Sequence, residues 1–475
     1  MTEDEPRGNL LALVISRGAL VAAGVAVQVL ATRGLGPDGF GLYGYLLSVA
    51  SIFGAFASWG LRMLLVPEVA RAPERVQRIL GASLPVVLLS GLGTTALVVG
   101  WVALQDGRGL MVAAAALVGV TFALIGAADV VQATFHGLRR MRLEVRGVVG
   151  GKLLAIGLTM GWFLWGGGLI SLALAQLAGA VLTVAVLGSA FRAHVGRPAL
   201  AAGDGLTRRL WRDGSPFAWN LFFGSVYAQV DVLLLASWAS EAEVGLYRAA
   251  AILLVHLPIA AQVLNRGLFP KVARLMGDPV AAGAELRFAT RVVLALGVPV
   301  AAGGIWLAEP IMVVLGGEAF RVAAPLLGVL LLGLPLRYVN NTTGMALSAL
   351  GRQGWRTGAV VVAAALNIGL NLALIPRFGA MAAAWVTVGT EVWLMIAFGA
   401  GLRGAAVGVG TLGAALRAAG AAAVMLVALA ALGGLGLPSA AWLPVAVVAG
   451  AGVYAFAARA VGVWEPGDLD RLWRV

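Results

Sequence analysis

The chain is 475 residues long, 60% of them hydrophobic and only 12% charged, with a mean hydropathy of +0.93 and a formal net charge of +12. Soluble globular domains carry about twice that charged fraction, so a water-soluble fold is excluded. The absence of cysteine rules out disulfides, thiolate catalysis and cysteine metal sites, and the scattered His136, His194 and His256 offer no metal-ligand spacing.

Apolar stretches of about 20 residues recur from end to end, each long enough to cross a hydrocarbon core of ~30 Å as a helix. In chain order they lie near residues 9–31, 40–63, 80–104, 109–134, 147–165, 168–191, 216–238, 244–267, 289–315, 322–348, 357–376, 378–401, 411–433 and 440–462. This pattern predicts an all-α polytopic membrane protein of about fourteen transmembrane helices. The first stretch follows Glu3, Asp4 and Glu5, exceeds the length of a signal-peptide core and lacks a small-x-small cleavage site, so it is expected to be retained.

The basic residues fall in alternate connections. One side holds Arg71, Arg75 and Arg78, then Arg139, Arg140, Arg142 and Arg146, then the arginines from Arg192 to Arg212, and later Arg352, Arg356, Arg403 and Arg417. The other has little beyond Arg33, Arg108, Arg321 and Arg377, with Glu241 and Glu243 in one of its connections. The positive-inside bias places the first side, and both termini, in the cytoplasm, so a multi-pass cytoplasmic-membrane protein is expected. These loop arginines account for the basic charge. No soluble module gathers them into a nucleic-acid footprint, so no nucleic-acid partner is expected.

An internal repeat divides the chain. Gly41-Leu42-Tyr43 recurs as Gly245-Leu246-Tyr247, and Pro67-Glu68-Val69-Ala70-Arg71 as Pro270-Lys271-Val272-Ala273-Arg274, at nearly constant separation. Each half starts inside and holds six spans, as in parallel repeats related by an axis along the membrane normal, which typically enclose a substrate path. The expected organisation is a six-helix lobe over 1–191, a cytoplasmic linker over 192–215, a second six-helix lobe over 216–401, and two extra helices with a cytoplasmic tail over 402–475. Within the linker, Leu206-Thr207-Arg208-Arg209-Leu210-Trp211-Arg212 sets apolar residues on one helical face and arginines on the other, which suits an interfacial helix.

Further elements carry a family likeness. Leu35-Gly36-Pro37-Asp38-Gly39-Phe40-Gly41-Leu42-Tyr43, Glu68-Val69-Ala70-Arg71 and Phe135-His136-Gly137-Leu138-Arg139-Arg140 are joined by Val230-Asp231-Val232-Leu233-Leu234, Leu268-Phe269-Pro270, Leu315-Gly316-Gly317-Glu318-Ala319-Phe320 and Asn371-Leu372-Ala373-Leu374-Ile375-Pro376-Arg377-Phe378-Gly379. In their joint order, over roughly residues 10–400, these resemble the polysaccharide-transport (oligosaccharide, or O-antigen, flippase) family of the multidrug/oligosaccharidyl-lipid/polysaccharide flippase superfamily. The resemblance implies two six-helix lobes around a central cavity. It also implies a cargo of oligosaccharide joined through pyrophosphate to a polyprenol, moved between leaflets by alternating access for surface polysaccharide synthesis. A lipid II-type flippase and a cation-coupled drug or metabolite antiporter of the same superfamily are the alternatives. Membrane lipids and other polysaccharide-assembly proteins are the candidate partners. An enzyme is not expected, because no sizeable outer loop holds catalytic groups and no phosphate-binding glycine loop is followed by a lysine.

A pyrophosphate headgroup inside the bilayer calls for fixed positive charge, and the planar fork of arginine pairs with phosphate oxygens. Arg17 lies deep in the first span, where an unpaired charge is expensive, and lipid II flippases carry functional arginine on their first helix, so the resemblance gives Arg17 a substrate role. Arg62 and Arg266, at span ends, and Lys152 and Arg337 complete the cationic set, with snorkelling to headgroups as the alternative for Arg62 and Arg266. Asp129, Asp231 and Glu391 are the acids well inside spans, each a candidate for binding a proton or cation. Resemblance to lipid II flippases implies a sodium site built from Asp231, Asn367, Asn371, the carbonyl of Ala383 and Thr387, with Asn371 standing where those flippases have an acid. Interhelical polar bonding without an ion is the alternative. No cofactor is expected beyond a coupling sodium ion or proton.

Overall fold

The computed structural model describes residues 4–199, 205–275, 277–403, 410–433, 439–465, 467–468 and 471, with the side chains of residues 4–23, 256, 259, 260, 263, 266 and 440 outside that description. Every regular element among them is helical. The solvent dictates this, because a backbone in hydrocarbon must satisfy its polar groups within its own segment. Ten of the described helices are long and apolar enough to cross a membrane, and the chain is a multi-pass membrane protein. It divides into two compact units, Met1–Ala236 and Ser237–Val475.

The first unit contains α1 (Asp4–Gly54), α2 (Leu61–Arg71), α3 (Val76–Gln105), α4 (Gly109–Gly137), α5 (Arg142–Leu164), α6 (Leu169–His194) and most of α7 (Leu206–Trp238). The first two predicted spans meet inside α1 at Gly36, whose φ of 66° precedes Pro37 and leaves no loop between them. The second span then breaks between α1 and α2, where Trp59 and Gly60 adopt φ of 50° and 70°. A Cβ on Gly60 would lie 2.5 Å from the Gly214 carbonyl oxygen, so glycine allows α7 to approach closely. The amphipathic stretch from Leu206 to Arg212 forms the opening turns of α7, which run on through Pro216 into the seventh span. These turns pack on the first unit: Trp211 stacks on Trp59 at 4.1 Å and its carbonyl accepts the Trp59 indole N–H at 2.8 Å, while Arg209 pairs with Glu68 at 3.2 Å. Leu61, Leu65, Ile79, Phe135, Phe191 and Leu210 form a core joining α2, α3, α4, α6 and α7. Small residues bring α5 against α6, where a Cβ on Gly151 would meet Thr183 Oγ1 at 1.9 Å.

The second unit contains α8 (Glu241–Ala251), α9 (Leu253–His256), α10 (Ile259–Arg274), α11 (Pro279–Trp306), α12 (Ala308–Gly316), α13 (Ala324–Ala349), α14 (Gln353–Arg403), α15 (Thr411–Gly433) and α16 (Ser439–Ala460). Its counterpart of the second span, 244–267, is broken into α8, α9 and the start of α10; Pro258, which lacks a backbone donor, precedes α10. Each unit therefore interrupts the span that begins at its Gly-Leu-Tyr motif, and Tyr43 and Tyr247 are both buried. Spans eleven and twelve fuse in α14, which departs from helical geometry at Gly379, φ 57°, after Pro376. The last two helices pack on α11 through Met425, Leu429, Ala446 and Tyr454 against Ala295 and its neighbours.

Candidate functional site

In the first unit, Arg62 near the start of α2 donates through Nη1 to Asp129 Oδ1 on α4 at 2.9 Å. The two side chains are 38% and 24% exposed. A cationic substrate candidate and an acidic coupling candidate are thus each other's partners. Lys152, midway along α5, is exposed, and among the described residues it has no ion pair or hydrogen bond. The side chains of Arg17 and Arg266 lie outside the described residues.

The second unit repeats this pairing with different residues. Arg337, midway along α13, sets its Nε 3.3 Å from Glu391 Oε1 on α14, the arginine 40% and the glutamate 10% exposed. Glu391 is held from its other side by Asn340, one helical turn beyond Arg337. The Asn340 amide donates to Glu391 Oε2 and to the Glu391 carbonyl, both at 2.8 Å. Among the described residues its own Oδ1 is buried without a partner. A further polar contact joins α13 to α10, where the Thr342 hydroxyl donates to Asn265 Oδ1 at 3.1 Å.

Asn367 and Asn371 share one face of α14, and the Asn371 amide donates to Asn367 Oδ1 at 3.0 Å, leaving Asn371 Oδ1 buried and without a partner among the described residues. The Thr387 hydroxyl donates to the Ala383 carbonyl at 2.9 Å. Amide, hydroxyl and carbonyl oxygens suit a hard cation such as sodium, and the orphaned Asn371 Oδ1 is a free donor of that kind. Asp231, on α7 in the first unit, accepts from the Val232 backbone N–H at 2.8 Å.

Two constellations escaped the sequence reading. Glu243 follows Ser240 with capping-box spacing, and Ser240 Oγ accepts the Glu243 N–H at 3.2 Å. Its carboxylate turns away, however, to accept the Ala380 N–H at 2.6 Å, capping the part of α14 that begins after the Gly379 break. Arg291 on α11 grips Asp468 with Nε and Nη2 at 2.9 and 3.0 Å and Glu465 at 2.5 Å, fastening the segment after α16 to the second unit. The capping spacing at Ser240 was visible in the sequence, but the distant partners of Glu243 and Arg291 had no local signal.

Comparison with known proteins adds a family model described as polysaccharide biosynthesis protein, which matches residues 9–276, more than half of the chain. The probable low-salt glycan biosynthesis flippase Agl15 of Haloferax volcanii is 26% identical over 166 residues, 34% of this chain. The chain spans 35% of that relative's length. Among solved structures, lipid II flippase MurJ in an inward closed conformation gives a TM-score of 0.74 at 15% identity over 96% of this chain and 98% of its own. An inward-facing multidrug resistance MATE family transporter of the MOP superfamily gives 0.69 at 14% identity over 81% and 94%. At these identities the structural likeness is one of fold, and the proteins concerned are flippases and transporters rather than enzymes. The family match over most of the first unit, carried by a helical fold shared with MOP-superfamily proteins, means that this chain belongs to the polysaccharide biosynthesis protein family.

Proposed function

We propose that the chain is a flippase that moves polyprenyl-pyrophosphate-linked oligosaccharide across the cytoplasmic membrane by alternating access, supplying cell-surface polysaccharide synthesis. The family match over residues 9–276 carries this reading, and the likeness to Agl15 supports it. The arginine-rich connections support an orientation with both termini in the cytoplasm. Arg62 and Arg337, partly exposed guanidinium groups within an apolar chain, have the chemistry to receive pyrophosphate. Arg17, Lys152 and Arg266 are the further cationic candidates. Coupling to a cation gradient is assigned to Asp231 and to the Asn367, Asn371, Ala383 and Thr387 oxygens.

The test is reconstitution of the full chain into vesicles carrying a fluorescent polyprenyl-pyrophosphate oligosaccharide, with a membrane-impermeant quencher reporting the outer leaflet. Protein-dependent equilibration that fails for polyprenol lacking the pyrophosphate-glycan is the expected result. Rates equal to protein-free vesicles, in every imposed gradient, would overturn the proposal.

A further inference from the structure

We propose that Arg337 and Glu391 form an exchange pair: an incoming pyrophosphate group takes over the guanidinium, and Glu391 takes up a proton in return. The identity of the anion rests on the flippase reading, while the exchange itself rests on the geometry of the second unit.

The guanidinium of Arg337 is engaged along one edge only. Its Nε faces Glu391 Oε1 at 3.3 Å, and among the described residues neither terminal nitrogen donates to a protein acceptor. The terminal fork is the edge that binds phosphate oxygens in pairs, and 40% exposure leaves it within reach of an anion. Arg62 differs, because its terminal Nη1 is already committed to Asp129. Of the two interhelical pairs, the one in the second unit therefore presents a free fork.

Glu391 is 8% exposed and faces Arg337 from α13 as its one described cation, with Asn340 on its other oxygen. The acid contributed by α8, Glu243, is occupied at Ala380, about three turns away along α14. Pyrophosphate carries more negative charge than a carboxylate and competes with it for the guanidinium. Once Arg337 turns to the anion, Glu391 is left as a buried carboxylate without a cation, a costly arrangement that a proton removes. One proton from solvent adds to the carboxylate, no other bond is made or broken, and the proton leaves when Arg337 returns. Asn340 is built for both states. Its amide nitrogen serves the carboxylate, and its buried, unpartnered Oδ1 becomes an acceptor for the carboxylic O–H after a half-turn of the amide.

The experiment uses the purified full-length protein in detergent, in weakly buffered solution near neutral pH with a pH-indicator dye, titrated with inorganic pyrophosphate. Wild type is expected to take up about one proton per protein more than Glu391→Gln, which is expected to bind pyrophosphate at least as tightly because the competing carboxylate is gone. Arg337→Gln is expected to weaken binding about tenfold or more, and Arg337→Lys, which keeps the charge and loses the fork, by less. Equal proton uptake in wild type and Glu391→Gln, or unchanged binding in both Arg337 variants, overturns the exchange. Vesicle assays separate the two proposals. A wild type that takes up the proton on pyrophosphate but moves no lipid-linked glycan sinks the flippase reading and keeps the exchange, whereas translocation without Glu391-dependent uptake sinks the exchange alone.

Discussion

Arg62 Nη1 lies 2.9 Å from Asp129 Oδ1, tying α2 to α4 within the first unit. Both side chains are partly exposed, so screening reduces what the pair contributes, and a coupling energy of about 1 kcal/mol is expected. Arg62→Gln and Asp129→Asn should each lower the melting temperature in a fixed detergent, and the double variant should recover part of the loss. Additive losses would make the pair incidental to stability and leave Arg62 free for substrate.

The break in α14 makes a sharper prediction at Gly379. Alanine there must adopt φ near 57°, and its Cβ would fall 2.0 Å from Glu243 Oε1. Gly379→Ala is expected to destabilise by about 1–2 kcal/mol from backbone strain alone, with further loss from displacing Glu243 off the Ala380 N–H. Adding Glu243→Ala removes the clash but not the strain, so thermal melts of the single and double variants should differ while both stay below wild type. A neutral Gly379→Ala would show that the helix passes this point without needing glycine.

The limits of the sequence show in which of these relationships it made legible. The all-helical, multi-pass fold was readable because hydropathy is a property of consecutive residues; a spacing of four likewise puts Asn367 and Asn371 on one helical face, and the structure adds the hydrogen bond between them. The pairings of Arg62 with Asp129 and Arg337 with Glu391 were not, since helical period says nothing about which helix lies opposite. Nor does sequence single out Asn340, and only the placement of α13 beside α14 reveals that it holds Glu391. The breaks after Gly54 and around Pro258 were hidden for another reason: apolar composition runs straight through them, so a hydropathy window sees one span where the backbone makes two pieces.

Orientation can be tested directly because the chain contains no cysteine. Arg75 lies exposed between α2 and α3, and Arg108 between α3 and α4. In intact cells, Arg75→Cys is expected to resist a membrane-impermeant maleimide until the membrane is opened, and Arg108→Cys to react at once. The reverse pattern would invert the topology that the positive-inside bias predicts.

The Arg291–Asp468 contact predicts how the segment after α16 is held. Asp468 is nearly fully buried and the Arg291 side chain is 11% exposed, so Asp468→Ala leaves a largely buried guanidinium with Glu465 as its remaining partner among the described residues. A loss of about 2 kcal/mol is expected, below the usual figure for breaking a buried pair because Glu465 remains. Limited proteolysis should then cut the segment after α16 faster than in wild type. Unchanged cleavage and melting would show that the segment is held by packing of α15 and α16 on α11 alone.

Two chemically different groups are assigned to coupling, and their effects should separate. In the proposed exchange Glu391 takes up a proton from solvent when Arg337 turns to the anion, whereas the proposed sodium donors Asp231 and Asn371 Oδ1 are oxygens of the kind that suits a hard cation. A gradient can bias a transporter only through a ligand that binds one access state better than the other, so removing the ligand's donor should remove the response to that gradient alone. In vesicles, Glu391→Gln is expected to lose the response of transport to an imposed pH gradient and keep its response to sodium. Asp231→Asn and Asn371→Ala are expected to do the reverse. Loss of both responses in every variant would mean general damage to the cycle, and retention of both would remove these residues from coupling.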